Sequence, residues 1–215
     1  MKIAGAIFDL DGTLLDSMSI WKTVGEDYLR TLGIKPDGNL KETLKTMSLL
    51  QAGEYLKQQY GIAATVEEIM QGVNSLVEHF YTEEAPLKAG VADFLEALSH
   101  RGVRMCIATA TDRHLARAAL ARNGILKYFG EIFTCTSVGC GKDQPDIFEA
   151  ALAFLGTPKV QTLVFEDALH AVQTAKGAGF CVAAVLDSTE ECQAELKALA
   201  DFYIENFRKA EGILL

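Results

Sequence analysis

The stretch Phe8-Asp9-Leu10-Asp11-Gly12-Thr13 ends the first apolar, strand-like run of the chain, Ile3–Phe8. In an extended segment, residues two apart point to the same side, so Asp9 and Asp11 can both lean over the carboxyl end of that strand. Open α/β sheets bind their ligands at this edge. Gly12 allows the chain to turn sharply there. Taken alone, the pattern also fits an ordinary Asp-Gly turn in which Asp11 caps a helix.

Further apolar runs of strand length follow and alternate with amphipathic segments whose apolar residues are spaced by three and four, as in helices. Gly102, Gly124 and Gly156 stand where these helices should end. The alternation predicts an α/β fold with a Rossmann-like, doubly wound parallel sheet. The predicted strands after the first are Val103–Ala108, Ile132–Cys135, Thr162–Phe165, Cys181–Val185 and Phe202–Ile204.

One long stretch, from about Asp16 to Glu83, interrupts the alternation with a pattern that is helical throughout. Thr65 and Glu68 have the spacing of a capping box before one of its helices. A helical block placed between the first strand and the rest of the sheet is typical of an inserted domain. We therefore expect a discontinuous α/β core, residues 1–15 and 84–215, and a small helical cap domain, residues 16–83.

Polar residues that are suited to phosphate chemistry follow three of the predicted strands. Thr109 follows the second strand, Lys142 lies in a glycine-containing loop after the third, and the pair Glu166-Asp167 follows the fourth. Taken singly, each has an ordinary explanation as a strand-end cap, a solvated charge or a loop acid. Their order and their places at strand ends indicate one shared site.

With these motifs, the sequence resembles the haloacid dehalogenase-like hydrolases, in the branch whose helical cap follows the first strand. The resemblance covers nearly the whole chain and is closest to the β-phosphoglucomutases and small-metabolite phosphatases. It implies that Asp9 attacks phosphorus to form an aspartyl-phosphate, while Asp11 protonates the leaving group and later deprotonates water. It also implies that Thr109 and Lys142 complete the catalytic set. Dehalogenation is disfavoured, because the dehalogenase branch lacks an acid at the position of Asp11.

The resemblance implies a metal cofactor as well. Two carboxylates and a phosphate dianion cannot crowd together without a cation, and hard oxygen ligands suit Mg²⁺. Asp9, Asp167 and the backbone carbonyl of Asp11 are the expected metal ligands. Glu166 is either a further ligand or an acceptor for metal-bound water.

Candidate substrate-binding residues lie beyond the second strand and in the cap. Thr111 and Arg113 stand where relatives contact phosphate, whereas Trp21 and Leu49 align with a histidine and an arginine of the β-phosphoglucomutase cap. A sugar phosphomutase must hold a second phosphate, but the cap stretch 40–60 contains no arginine that could bind it. Hydrolysis is therefore the favoured activity, although Trp21 and Leu49 equally fit ordinary helix packing.

Composition limits the partners. The chain has 215 residues, 49% of them apolar, and a net charge of −9, with no run of basic residues. Such a charge disfavours nucleic acid and anionic membranes, whereas a small phosphorylated metabolite remains compatible. The five cysteines show no zinc or redox spacing and are expected to be free, buried thiols in a cytoplasmic protein. We expect a monomer.

These observations predict a magnesium-dependent phosphohydrolase that cleaves a phosphate monoester of a small metabolite. Two alternatives stay open: a β-phosphoglucomutase-like sugar phosphomutase, and a non-catalytic, phosphate-responsive binding protein. The long helical insertion argues against the second alternative, because receiver domains lack it.

Overall fold

A computed structural model describes residues 3–44, 47 and 49–214 of the chain. The chain divides into two compact units: residues 1–17 together with 85–215, and residues 18–84. These limits lie one or two residues from the boundaries expected from the sequence.

The first unit is built on a sheet of six parallel strands in the order β3-β2-β1-β4-β5-β6. The predicted α/β class is therefore confirmed. The first strand is central in this order, so the loop that follows it has a neighbouring strand end on each side. The strands are β1 (Gly5–Phe8), β2 (Arg104–Thr109), β3 (Ile132–Thr134), β4 (Thr162–Glu166), β5 (Cys181–Val185) and β6 (Phe202–Ile204).

The strand limits differ from the predicted ones by up to two residues, and the difference at β3 has a clear cause. β3 stops at Thr134 because the Thr134 hydroxyl accepts a hydrogen bond from the backbone N–H of Ser137, 3.0 Å away. The Ser137 side chain in turn accepts from the Thr134 backbone, so the two residues form a capping box. Cys135, predicted to end this strand, instead begins a helix.

Helices cover both faces of the sheet, as expected when every connection between parallel strands is a crossover. Glycines with positive φ follow three of them, at Gly102, Gly124 and Gly156, as the sequence predicted. The helices of this unit are α5 (Val91–His100), α6 (Arg113–Arg122), α7 (Cys135–Val138), α8 (Asp146–Leu155), α9 (Leu169–Gly177) and α10 (Gln193–Leu199).

Neighbouring residues of β1 face opposite sides of the sheet. Ile7 belongs to the core cluster that includes apolar residues of α8 and α9. On the other side, Phe8 stacks on Phe165 of β4 with a centroid distance of 4.2 Å, and Phe94 of α5 meets Phe165 edge-on. Both faces of β1 are therefore buried in apolar core, and the strand provides a rigid base for the loop that follows it.

The second unit consists of helices α1 (Met18–Thr31), α2 (Leu40–Leu44), α3 (Leu49–Tyr60) and α4 (Val66–His79), followed by a π-helical turn, Phe80–Glu84. Its own core contains Tyr28, Leu29, Leu56, Ile69 and Val73. The predicted capping box is confirmed: the Thr65 hydroxyl accepts from Glu68 N–H, and the Glu68 carboxylate accepts from Thr65 N–H. In the part of the chain that the structure describes, no helix is long and apolar enough to cross a membrane.

The two chain crossings between the units run side by side. Leu15 and Leu87 form an antiparallel bridge, and Asp16 N–H donates to Pro86 O at 2.9 Å. The Lys88 ammonium adds a hydrogen bond of 2.6 Å to the carbonyl of Leu186. These bonds lie within the first unit, where they join the two segments that flank the insertion to each other and to the residue that follows β5.

All five cysteines are free, as predicted, but the expectation that they are buried is wrong for most of them. Cys106 is buried in β2, whereas Cys192 is exposed and Cys135, Cys140 and Cys181 are partly exposed. The scattered spacing of the cysteines predicted free thiols but carries no information about burial.

The stacked pair Phe8 and Phe165 predicts a large effect on stability. Phe165→Ala removes a fully buried ring from the centre of the sheet, so we expect the free energy of unfolding to fall by about 3–5 kcal/mol. Urea denaturation followed by circular dichroism measures this loss. Phe154→Ala is the matched control, because its ring is 49% exposed. A loss below about 1 kcal/mol for Phe165→Ala would contradict this account of the core.

Candidate active site

The carboxyl ends of β1, β2 and β4 carry most of the predicted site residues. Asp9 follows β1 directly, and its N–H donates to Phe165 O, so the ladder between β1 and β4 continues into the loop. Thr109 ends β2 and Glu166 ends β4. Because Phe8 pairs with Phe165, the next residues on the two strands, Asp9 and Glu166, are neighbours at the same edge.

Lys142 binds both of these carboxylates. It comes from the loop between α7 and α8, and its ammonium donates to Asp9 Oδ1 and, at 2.5 Å, to Glu166 Oε1. All three residues are buried. Burial alone would lower the pKa of the Lys142 ammonium, but Asp9 and Glu166 outweigh burial and raise it. Lys142 is therefore charged in the structure and aligned with the candidate nucleophile.

Glu166 is held from a second side. Its Oε2 accepts hydrogen bonds from the backbone N–H groups of Asp167, at 2.9 Å, and Ala168, at 3.1 Å. Since its other oxygen accepts from Lys142, this carboxylate is fixed in one orientation by three donors. The sequence left two roles open for Glu166, as a metal ligand or as an acceptor for metal-bound water, and both stay predictions; the contacts described here bind it to Lys142.

Asp167 lies against the loop after β1. Its Oδ1 accepts a hydrogen bond of 2.9 Å from the Thr13 hydroxyl. Gly12, with φ of 78°, passes so close that a Cβ atom there would lie 2.2 Å from Asp167 Oδ2. Glycine is thus required at this position by both backbone conformation and space. Thr13 was part of the quoted motif, but sequence reasoning gave it no role.

The site contains more negative than positive charge. Burial raises the pKa of Asp9 to about 7, and although Lys142 opposes this shift, neighbouring carboxylates add to it. Burial also raises the pKa of Asp167 well above its ordinary value, and the charges of Glu166 and Asp9 raise it further. One lysine therefore does not neutralise this group of acids.

Three of the acids are arranged as a cation site would require. Among the described residues, Asp9, Glu166 and Asp167 each offer a carboxylate oxygen, and these oxygens lie within 4.8 Å of one another. A buried, all-oxygen set of this kind fits a hard divalent cation. A cation there would also relieve the repulsion that raises the carboxylate pKa values.

Asp11 is held by two hydroxyl groups. Ser17 Oγ donates to Asp11 Oδ1 and Thr111 Oγ1 donates to Asp11 Oδ2, both at 2.5 Å. Ser17 is fully buried and is the last residue before α1. Sequence reasoning missed Ser17, which it placed in the cap; its only sequence signal is a small hydroxyl residue six positions after Asp11.

Thr109 and Thr111 form a short polar turn at the end of β2. Thr109 is fully buried, and its hydroxyl oxygen accepts a hydrogen bond of 3.0 Å from Thr111 N–H. Through the bond from Thr111 to Asp11, this turn is joined to the loop after β1. The structure thus brings Thr109 and Thr111 to the site as the sequence placed them.

Arg113, Trp21 and Leu49 are the other three predicted substrate-binding residues. The guanidinium of Arg113, at the start of α6, pairs with Glu131 at 2.5 Å on the surface. Trp21 in α1 and Leu49 at the start of α3 belong to the second unit, where both line a cavity of about 310 Å³. A substrate contact by any of the three stays a prediction.

Comparison with known proteins identifies the family. The model of the haloacid dehalogenase-like hydrolases matches residues 6–185. The validoxylamine A 7′-phosphate phosphatase of Streptomyces hygroscopicus subsp. limoneus is 28% identical over 90% of this chain and 91% of its own length. The fructose-1-phosphate phosphatase of Escherichia coli is also 28% identical, over 83% of this chain and 94% of its own length.

Solved structures show the same fold. A Thermotoga maritima protein provisionally assigned as a β-phosphoglucomutase superposes with a TM-score of 0.87 at 23% identity, covering 99% of this chain and 98% of that one. The family match spans β1 to β5 and includes every strand end that contributes to the site. The chain therefore belongs to the haloacid dehalogenase-like hydrolases.

Proposed function

We propose that this protein is a magnesium-dependent phosphatase that hydrolyses a phosphate monoester of a small metabolite through an aspartyl-phosphate on Asp9. The observation that carries the proposal is the buried Asp9 carboxylate, which is bonded to Lys142 beside two further acids, with Asp11 two residues away. The names of the relatives support this substrate class, because each of them acts on a small phosphorylated compound.

In the first step, an oxygen of Asp9 attacks phosphorus and the bond from phosphorus to the leaving oxygen breaks. Asp11 gives its proton to that oxygen, so the product leaves as an alcohol. Lys142 holds Asp9 through Oδ1 and offsets negative charge on the nucleophile and the phosphoryl group.

In the second step, water attacks the phosphorus of the aspartyl-phosphate. Asp11, now ionised, takes a proton from this water, the bond from phosphorus to Asp9 breaks, and inorganic phosphate is released. Asp11 thus acts first as an acid and then as a base. Its hydrogen bonds to Ser17 and Thr111 hold the carboxyl group in one orientation for both transfers.

Asp9 and Asp167, together with the backbone carbonyl of Asp11, would hold Mg²⁺. When bound, the ion supplies positive charge beside the phosphoryl oxygens. Glu166 accepts a hydrogen bond from Lys142 and thereby holds the ammonium beside Asp9. Thr109 and Thr111 provide hydroxyl groups at the adjoining strand end, where they can orient the phosphoryl group.

The first test measures phosphate release from a panel of phosphorylated metabolites, with and without magnesium, for the wild type and two variants. Asp9→Asn removes the nucleophile, so we expect its rate to fall by at least about a thousandfold. Asp16→Asn is the matched control, because this carboxylate is exposed on the same segment. We expect its rate to stay within about twofold of the wild type.

The outcomes separate the proposed activity from its alternatives. Release that needs both magnesium and Asp9 is expected for the phosphatase. Undiminished hydrolysis by Asp9→Asn would overturn the mechanism. Rearrangement of β-glucose 1-phosphate without net phosphate release would show a mutase, and binding without turnover would show a phosphate-responsive protein.

The acid role of Asp11 predicts a dependence on the leaving group. Asp11→Asn cannot protonate the departing oxygen, so formation of the aspartyl-phosphate from an alkyl phosphate should slow by at least about a hundredfold. An aryl phosphate with an acidic leaving group, such as 4-nitrophenyl phosphate, needs little protonation. Its first step should slow much less, as measured by the burst in rapid-quench kinetics. Equal slowing of both substrates would contradict the acid role.

The raised pKa values predict that metal binding releases protons. Near pH 7 the metal-free Asp9 is partly protonated, and the pKa of Asp167 is raised as well, whereas a bound cation requires the ionised forms of both. Magnesium affinity should therefore fall as pH drops below about 7, where the pKa of Asp9 lies. Calorimetric titration in buffers of different ionisation enthalpy measures the protons released.

A surface carboxylate provides the control for this experiment. Asp201 lies near Lys176, and that contact helps to lower its pKa against burial, so Asp201→Asn should leave the proton release unchanged. Asp167→Asn should reduce it. Magnesium binding without proton release at pH 7 would contradict the charge imbalance described for the site.

A further inference from the structure

The helical unit, residues 18–84, encloses a cavity of about 310 Å³ that no catalytic step requires. Its lining comes from all four helices and is mostly apolar. Gly25, Ala52 and Gly53 contribute little side-chain volume, which leaves the space open. The apolar lining with larger side chains includes Trp21, Leu44, Leu56, Ile69, Met70 and Val73.

Two of the large apolar side chains that line the cavity are exposed. Trp21 is 51% exposed and Leu49, which also lines the cavity, is 36% exposed. Leu50, the next residue of α3, is 50% exposed. Trp21 and Leu49 thus combine exposure to water with a place in the cavity lining, as apolar residues of a binding site do.

The polar groups of the cavity are few and biased toward positive charge. Lys22 and Lys41 line it and are exposed, and no carboxylate that the structure describes pairs with either. Glu26 also lines it but is bonded to Arg30 at 2.7 Å. Because acidic residues outnumber basic ones between 18 and 84, these lysines form a local exception in an acidic segment.

We propose that this cavity binds an apolar ring that carries an anionic group, with the ring among the helices and the anion near Lys22 and Lys41. The volume is in the range of small-molecule sites, and such sites combine an apolar lining with a few polar groups. A polyhydroxylated ligand fits poorly, because most of its hydroxyl groups would lose water without gaining a hydrogen bond.

Binding can be measured directly, because Trp21 is the chain's only tryptophan. We would titrate the protein with benzylphosphonate, with methylphosphonate, which has the same head group without the ring, and with phenylacetate, which keeps the ring but has no phosphorus. Tryptophan fluorescence and calorimetry provide independent readouts. We expect benzylphosphonate and phenylacetate to bind at least about tenfold more tightly than methylphosphonate. Equal affinities for benzylphosphonate and methylphosphonate would overturn the proposal.

A pair of matched variants locates the site. Ala52→Phe fills the cavity from α3 and should weaken benzylphosphonate binding at least about tenfold. Ala63→Phe adds the same side chain at an exposed position of the same unit, outside the cavity, and should change the affinity less than twofold. Circular dichroism checks the fold of both. Unchanged binding by a folded Ala52→Phe would overturn the proposal, and if this variant does not fold, the wild-type ligand comparison still decides.

The proposal does not rest on the proposed function, because every residue that lines the cavity belongs to the helical unit. The binding titrations are repeated with Asp9→Asn, because a binding measurement does not require turnover. Absence of hydrolysis would thus defeat the proposed function, whereas only the binding data decide on the cavity.

Discussion

The buried Lys142 ammonium between Asp9 and Glu166 is the interaction on which the site depends. Removing an ion from water is unfavourable unless partners satisfy it, and here two carboxylates from neighbouring strands do so. That proximity exists because β1 lies beside β4 in a parallel sheet. One cation thus joins β1, β4 and the loop between α7 and α8, and any displacement of one element would leave a buried charge without its partner.

The same constraint explains the chemistry of the surrounding residues. Lys142 balances only part of the negative charge, so Asp9 and Asp167 retain raised pKa values and the site has the character of a cation-binding centre. Asp11 has different partners, because the hydroxyl groups of Ser17 and Thr111 donate to its two carboxylate oxygens. Two aspartates separated by one residue therefore have distinct surroundings, which is what a nucleophile and a proton donor require.

Sequence reasoning predicted the sheet well because apolar runs followed by polar residues mark buried parallel strands. β5 and β6 have the predicted limits. β3 is one residue shorter than predicted, because the capping box of Thr134 and Ser137 starts a helix at Cys135. The polar residues that follow these strands could likewise be predicted to meet at the carboxyl edge of the sheet, because the strands are parallel. The role of Thr13 and the contact of Ser17 could not, because they depend on how the Gly12 turn folds the chain back. The cavity of the helical unit was also beyond prediction, since periodicity does not distinguish an empty interior from a filled one.

The insertion of residues 18–84 after β1 also sets the order in which the protein can fold during synthesis. The helical unit is continuous in sequence and has its own core, so its contacts can form as soon as it leaves the ribosome. β1 emerges earlier, yet its partners β2 and β4 begin only at Arg104 and Thr162. The strand that carries the nucleophile is thus made first and paired late, and closing these long loops is the slow part of assembling the sheet.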